Sequence, residues 1–196
     1  MKVIGITGGA GSGKSEVLKI LAQDFGAYVI IADDLARHLS EKGQICYENI
    51  VSAFGSGVIG DDGELDRKKL ASIVFGDEAK LKLLNEMTHP YVRQAILSDI
   101  DKQREKNTAS CIVIEAALLI EAGYQNVCDE MWYVYTDLDI RRQRMKETRN
   151  YSDEKIDAVM ASQLSDEAFR ENCDRVIVNN STLENVKTQL TRIFKL

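Results

Sequence analysis

Apolar and polar positions follow two rhythms along this chain. Short runs that are apolar almost throughout occur at 3–6, 28–31, 111–114, 131–135 and 175–178. Runs without alternation fit strands buried on both faces, as in a parallel sheet. Between them the apolar positions return every three or four residues, the helical rhythm. In 14–25 the repeat is Val17, Leu18, Leu21 and Ala22, and Gly26 follows as a C-cap. Helices are also predicted over 35–59 with a break at Lys42-Gly43, from Leu65 onward, over 77–104, and from 181 to the end. The single proline, Pro90, falls inside 77–104 and should break or kink that helix. Residues 55–63 read as loop.

Strands alternating with helices predict an α/β fold: a five-stranded parallel sheet with helices on both faces. The stretch 43–106 departs from the alternation. It lacks strand signals and is far longer than a βαβ crossover needs. We read it as a helical, substrate-binding insertion. The core is then 1–42, 107–140 and 164–196, with 141–163 as a small helical lid.

The first strand runs into Gly8-Gly9-Ala10-Gly11-Ser12-Gly13-Lys14-Ser15, which fits G-x-x-x-x-G-K-[ST] in the order strand, loop, helix. A phosphate chain needs many backbone N–H donors aimed at one place, and glycine allows the backbone to curl that tightly. The helix that follows, with Glu16 in its first turn, adds its positive end. Lys14 is placed to bridge the β- and γ-phosphates, and the Ser15 hydroxyl to ligand Mg²⁺. The pattern therefore predicts ATP and Mg²⁺ at 8–16. The second strand ends at Ala32-Asp33-Asp34. Ligands of open parallel sheets lie at the carboxyl ends of the strands, so Asp33 is a candidate for acid–base work there. A helix N-cap is the alternative role for Asp33 or Asp34.

Composition narrows the class. The 196 residues are 44% hydrophobic and 29% charged, with a formal charge of −6, which fits a globular chain and argues against nucleic acid as a partner. Within this acidic chain, Arg141, Arg142, Arg144, Lys146 and Arg149 form a basic cluster. Most of it reads as a solvated helix face, but Arg144 and Arg149 stand where a hinged lid would close on a triphosphate. Cys46, Cys111, Cys128 and Cys173 form no C-x-x-C pair, which suits reduced thiols rather than a zinc site. With no signal peptide and no apolar run of spanning length, a cytoplasmic location without membrane contact is expected. No motif points to an obligate protein partner.

Taken together, these motifs resemble the dephospho-coenzyme A kinase family. The resemblance rests on the glycine loop, Ala32-Asp33-Asp34-Leu35-Ala36-Arg37, Gly63-Glu64-Leu65-Asp66-Arg67 and Val74-Phe75-Gly76-Asp77. It extends through His89-Pro90-Tyr91-Val92-Arg93, Leu118-Leu119-Ile120-Glu121, Gln163 and Val176-Ile177-Val178-Asn179. It implies a P-loop kinase fold with a coenzyme-binding insertion and a lid. It implies transfer of the ATP γ-phosphate to the ribose 3′-hydroxyl of dephospho-coenzyme A. Asp33 matches the family's general base, Lys14, Arg144 and Arg149 act on the phosphates, and Asn179 belongs to the nucleotide site. Arg67, His89, Arg93 and Leu118 would hold or shape the acceptor pocket. From the residues alone, the arginines fit ion pairs equally well and His89 fits a helix break before proline.

The chain departs from the family at Ile31, where Asp is common, at Ala117, where Pro is usual, and at Phe169, where a basic residue is common. Either Thr148 or Arg149 fills the second lid position. Another small-molecule hydroxyl, of a nucleoside, shikimate or a sugar acid, is the competing acceptor. A GTPase-like switch is the other class of reading, but D-x-x-G and N-K-x-D are absent from the sequence.

Overall fold

The structure, a computed structural model, describes residues 1–116 and 118–195; Ala117 and Leu196 lie outside the described residues. The chain divides into two compact units, Met1–Ile30 with Lys106–Leu196, and Ile31–Glu105.

The first unit carries the sheet. Its strands are β1 (Lys2–Thr7), β2 (Tyr28–Ile31, the last residue falling in the second unit), β3 (Cys111–Glu115), β4 (Glu130–Tyr135) and β5 (Arg175–Val178). They lie in the order β2-β3-β1-β4-β5 in an all-parallel sheet. Thus β1, the first strand made, sits in the middle, with Ile6 opposite Glu115 of β3 and beside Trp132 of β4. The strands begin where the apolar runs predict, to within one residue. Carboxylates secure two amino ends: Asp129 Oδ2 accepts from Val3 N–H and Asp174 Oδ2 from Met131 N–H, each at 2.7 Å.

Helices α1 (Lys14–Phe25), α6 (Leu138–Arg149), α7 (Asp153–Ala161), α8 (Asp166–Glu171) and α9 (Leu183–Phe194) belong to this unit. The period of two in a strand sends alternate residues of β4 to opposite faces. Trp132 and Val134 join the core with Leu18, Leu21, Val186 and Leu190 of α1 and α9. Tyr133 stacks on Phe169 of α8 with centroids 4.8 Å apart. Helices therefore cover both faces, as expected. Phe25 and Phe194 stack at 4.9 Å and close the α1–α9 seam.

The second unit is helical: α2 (Ala32–Leu39), α3 (Ile45–Phe54), α4 (Arg67–Val74) and α5 (Glu78–Lys106), the last ending one residue beyond it. Cys46, Ile50, Val58 and Leu70 form its own small core, flanked by Leu65, Leu84 and Tyr91. A single antiparallel bridge, Ile59 to Leu65, is its only strand-like pairing among the described residues. Two expectations are corrected here. Leu65 lies before α4 rather than in it; Asp66 is the N-cap, accepting from Lys68 and Lys69 N–H at 3.1 and 3.0 Å. Helix α5 runs unbroken through Pro90. Proline there forfeits one ladder bond, and a helix of 29 residues has turns on either side to hold it in register.

Candidate active site

The glycine loop joins β1 to α1. Gly13 is the N-cap of α1 with φ +83°, and a Cβ there would lie 2.3 Å from Asn179 Nδ2. Gly11 has φ +78°, and a Cβ would lie 2.7 Å from the Arg141 carbonyl oxygen. Both positions therefore require glycine, for the left-handed backbone and for the close approach. No side chain caps α1. Its first N–H groups are left to the loop cavity, with the positive end of the helix dipole behind them.

That cavity has a volume of about 500 Å³. Its lining includes loop residues 9–11 and 13–16, Glu115 at the tip of β3, Arg144, Thr148 and Arg149 of α6, and Asn179, Ser181 and Leu183 after β5. Lys14, Arg144 and Arg149 set three cations against Glu16 and Glu115, a local reversal of the chain's −6. Lys14 Nζ donates to Gly8 O at 2.7 Å and lies 3.8 Å from Glu115 Oε1, which keeps the ammonium inside the ring of glycines. Gly8 and Ser12 belong to the same loop, Ser12 being 1% exposed beneath it.

Behind the loop is a small polar lattice. Asn179 Nδ2 donates to Ser12 O at 2.8 Å, and Thr136 Oγ1 lies 3.0 Å from the same oxygen and 3.1 Å from Asn179 O. Arg144 Nη2 donates to Asn179 O at 2.9 Å. Ser12, Thr136 and Asn179 are all nearly inaccessible. The Ser12 carbonyl fixes the amide orientation of Asn179, because only its nitrogen can face that oxygen. Asn179 Oδ1 is then a buried acceptor without a hydrogen-bond partner among the described residues.

The helical unit has a cavity of its own, of about 340 Å³. Asp33, Arg37 and Arg67 supply its charge, Ser40, Asn85 and Thr88 its polar edge, and Ile50, Leu65, Leu70 and Leu84 its apolar wall. Arg67 Nη2 donates to Arg37 O at 3.4 Å. Asp33 is not a cap: Ile31 is the N-cap of α2, and Asp33 stands exposed in its first turn. The cap alternative for Asp33 and Asp34 is thereby removed.

The remaining predicted residues are distributed as follows. Arg144 and Arg149 line the loop cavity together with Thr148, whose hydroxyl donates to Arg144 O at 2.7 Å. Ser15 lines it too. His89 is exposed and Arg93 half-buried, and neither lines the cavity of the helical unit. Leu118 is 52% exposed and lines neither cavity. Glu115 received no role from the sequence. Its signal was an acid closing an apolar strand, and strand order alone brings that strand beside β1.

A five-stranded parallel sheet with this loop after its central strand, and helices on both faces, defines a P-loop kinase fold. A profile of the dephospho-CoA kinase family matches residues 2–185, and the chain belongs to that family. A dephospho-CoA kinase of Geobacillus kaustophilus is 38% identical over 98% of this chain and 94% of its own. The crystal structure of TT1252 from Thermus thermophilus superposes with a TM-score of 0.84 at 30% identity, covering 99% of this chain and 96% of that one. The dephospho-CoA kinase from Campylobacter jejuni gives 0.73 at 26% identity, with 98% and 95% covered.

Proposed function

We propose that this enzyme transfers the γ-phosphate of ATP to the ribose 3′-hydroxyl of dephospho-coenzyme A. The observation that carries the proposal is the loop cavity, in which the N-terminus of α1, Lys14 and Arg144 converge on one space. This suits a triphosphate, since phosphoryl transfer is catalysed mainly by positioning and by stabilising charge. Asn179, which also lines this cavity, is proposed as part of the nucleotide site.

The acceptor is assigned to the helical unit. Its cavity sets Arg37 and Arg67 against an apolar wall, chemistry suited to a ligand with both phosphate and hydrocarbon parts. His89, Arg93 and Leu118 are proposed to extend the acceptor surface beyond that cavity. In the reaction, Asp33 accepts the hydroxyl proton. The alcohol oxygen bonds to the γ-phosphorus, and the bond to the bridging oxygen breaks to release ADP. Lys14, with Arg144 and Arg149 from a lid at 141–163, offsets the charge on the phosphate oxygens.

The donor set fits Mg²⁺. Ser15 and Glu115 line the loop cavity, and no cluster of three or more His, Cys, Asp or Glu side chains suited to a metal occurs among the described residues. Magnesium bound to nucleotides is held by phosphates and water with one or two protein oxygens, not by a protein cage. Ser15, and Glu115 directly or through water, would hold it, and it would neutralise phosphate charge. The partners proposed are these small molecules. Among the described residues, no helix is long and apolar enough to cross a membrane, and a cytoplasmic location is proposed.

The test is ADP release with dephospho-coenzyme A, shikimate, gluconate and adenosine as acceptors. A rate above the water background with dephospho-coenzyme A alone is expected. No rate with it would overturn the assignment.

A further inference from the structure

One residue of the phosphate loop is held from outside, through the peptide units on both its sides. Gln163 Oε1 accepts from Ala10 N–H at 3.0 Å. Arg141 Nε donates to Ala10 O at 2.9 Å, and Arg141 Nη2 donates to Gln163 Oε1 at 3.0 Å. Both polar groups of Ala10 are thus occupied by side chains that also bond each other. The guanidinium covers Gly9 so closely that a Cβ there would lie 2.2 Å from Arg141 Nη2. The Arg141 main chain crowds Gly11 on the other side of Ala10.

The two side chains come from different parts of the basic region. Arg141 lies in the first turn of α6, and Gln163 stands two residues after α7. The helices themselves are joined: Arg142 pairs with Asp153 and Asp157, and Lys146 lies 2.7 Å from Asp153. The exposed pairs contribute little stability singly, but together they tie Asp153 and Asp157 of α7, the helix that leads to Gln163, to α6.

We infer that Arg141 and Gln163 are positioning residues that set the curl of the phosphate loop before nucleotide arrives. Neither is assigned to touch the phosphates. By fixing Ala10 at both its N–H and its carbonyl, they hold the N–H groups of Gly11, Gly13, Lys14 and Ser15 in a converged arrangement, while Ser12 N–H closes the turn onto Gly9 O at 3.1 Å. Ordering the loop in advance removes a cost that binding would otherwise carry, so the effect falls on nucleotide affinity. The inference rests on the loop being the ATP site.

The test uses the whole enzyme and calorimetric titration with MgADP, alongside steady-state kinetics. Gln163→Met keeps length and removes the acceptor, while Gln163→Glu keeps an acceptor for both partners. Gln163→Met is expected to weaken MgADP binding and raise the ATP KM about tenfold, with kcat and the acceptor KM within about threefold. Gln163→Glu should recover most of that loss, and Arg141→Met with Gln163→Met should be little worse than either alone. Arg141→Lys keeps charge but not the planar fork, and carries the same test if Gln163→Met fails to fold. MgADP affinity within twofold of native in a folded Gln163→Met, or Gln163→Glu as impaired as Gln163→Met, would overturn the inference. Failure of the native enzyme to bind MgADP would instead overturn the ATP-site reading.

Discussion

Asn179→Asp keeps the shape of a 2% exposed side chain and replaces its only bonded donor with an oxygen. Ionised, that oxygen would face Ser12 O at the 2.8 Å now spanned by a hydrogen bond. A protonated acid, by contrast, can donate to Ser12 O and restore the bond. The folded state therefore holds the proton, and the new carboxyl titrates above its unfolded value of about 3.9. Burial alone can raise a carboxyl by up to about 3–5 units. Arg144, which donates to Asn179 O at 2.9 Å, opposes this, so a rise of about 2–3 units is the working figure.

The sign follows from proton linkage. Between the two pKa values the folded variant binds more protons than the unfolded chain, so its stability relative to native falls as pH rises. At about 1.36 kcal/mol per unit, the loss is about 1.5 kcal/mol near pH 5 and about 3–4 kcal/mol near pH 8, where it levels off. Urea unfolding of the native protein, Asn179→Asp and Asn179→Leu across this range measures it. Asn179→Leu loses the same bond without gaining a titrating group, so its deficit should be flat. A deficit for Asn179→Asp that is constant within about 0.5 kcal/mol, or that grows toward acid, would refute the assignment of the amide nitrogen to Ser12 O.

Lys14→Ala should fold normally and lose at least about 10²-fold in kcat/KM for ATP, as removal of a charge that acts on the transferring phosphate does; circular dichroism and ADP release check both halves. Asp33→Asn should bind ATP with native affinity and lose about 10²–10⁴-fold in kcat, and a near-native rate would remove it as the base. Arg67→Met should raise the dephospho-coenzyme A KM about tenfold with the ATP KM unchanged, if its guanidinium meets a phosphate of the acceptor. Glu130 is held down at about 2 by hydrogen bonds from the Arg175 guanidinium first, then Lys2 and the Trp132 indole N–H, against the opposing effect of burial. Its folded value lies below the unfolded one, so it stabilises above about pH 4.5, and the stability is lost as pH falls toward 2. Glu130→Gln should therefore cost about 1–2 kcal/mol at neutral pH, allowing for screening at a surface-linked site, and the deficit should shrink on acidification.

What the sequence made legible was local. The strands at 28–31 and 175–178, the helix at 14–25 and its Gly26 cap depend on neighbours within a turn or two, and the structure has them as read. The glycine loop was legible for the same reason, since its spacing is its mechanism. The errors were also local, but they were contests between rules. At 65–67 the apolar spacing starts the helix too early because it counts Asp66 as a helix residue, although a side-chain acceptor ahead of the first turn is what Asp supplies best. At Pro90 the chain gives up one ladder bond and crowds the carbonyl four residues back, and a helix of 29 residues carries that cost without breaking.

The residues whose roles escaped are those whose partners lie far along the chain. Glu115 meets Lys14 only because the sheet inserts β3 beside β1, and nothing within reach of Glu115 in sequence records that order. Gln163 meets Ala10 across 153 positions, and Arg141 meets it across 131. In the sequence Arg141 is one basic residue of five on a surface helix, and charge pattern gives no reason to separate it from Arg142. The fold separates them: Arg142 turns to the acids of α7, and Arg141 turns inward to a backbone whose glycines leave room for a guanidinium. A phosphate loop announces itself through its own spacing, whereas the side chains that hold it in shape can come from any part of the chain that the sheet brings near.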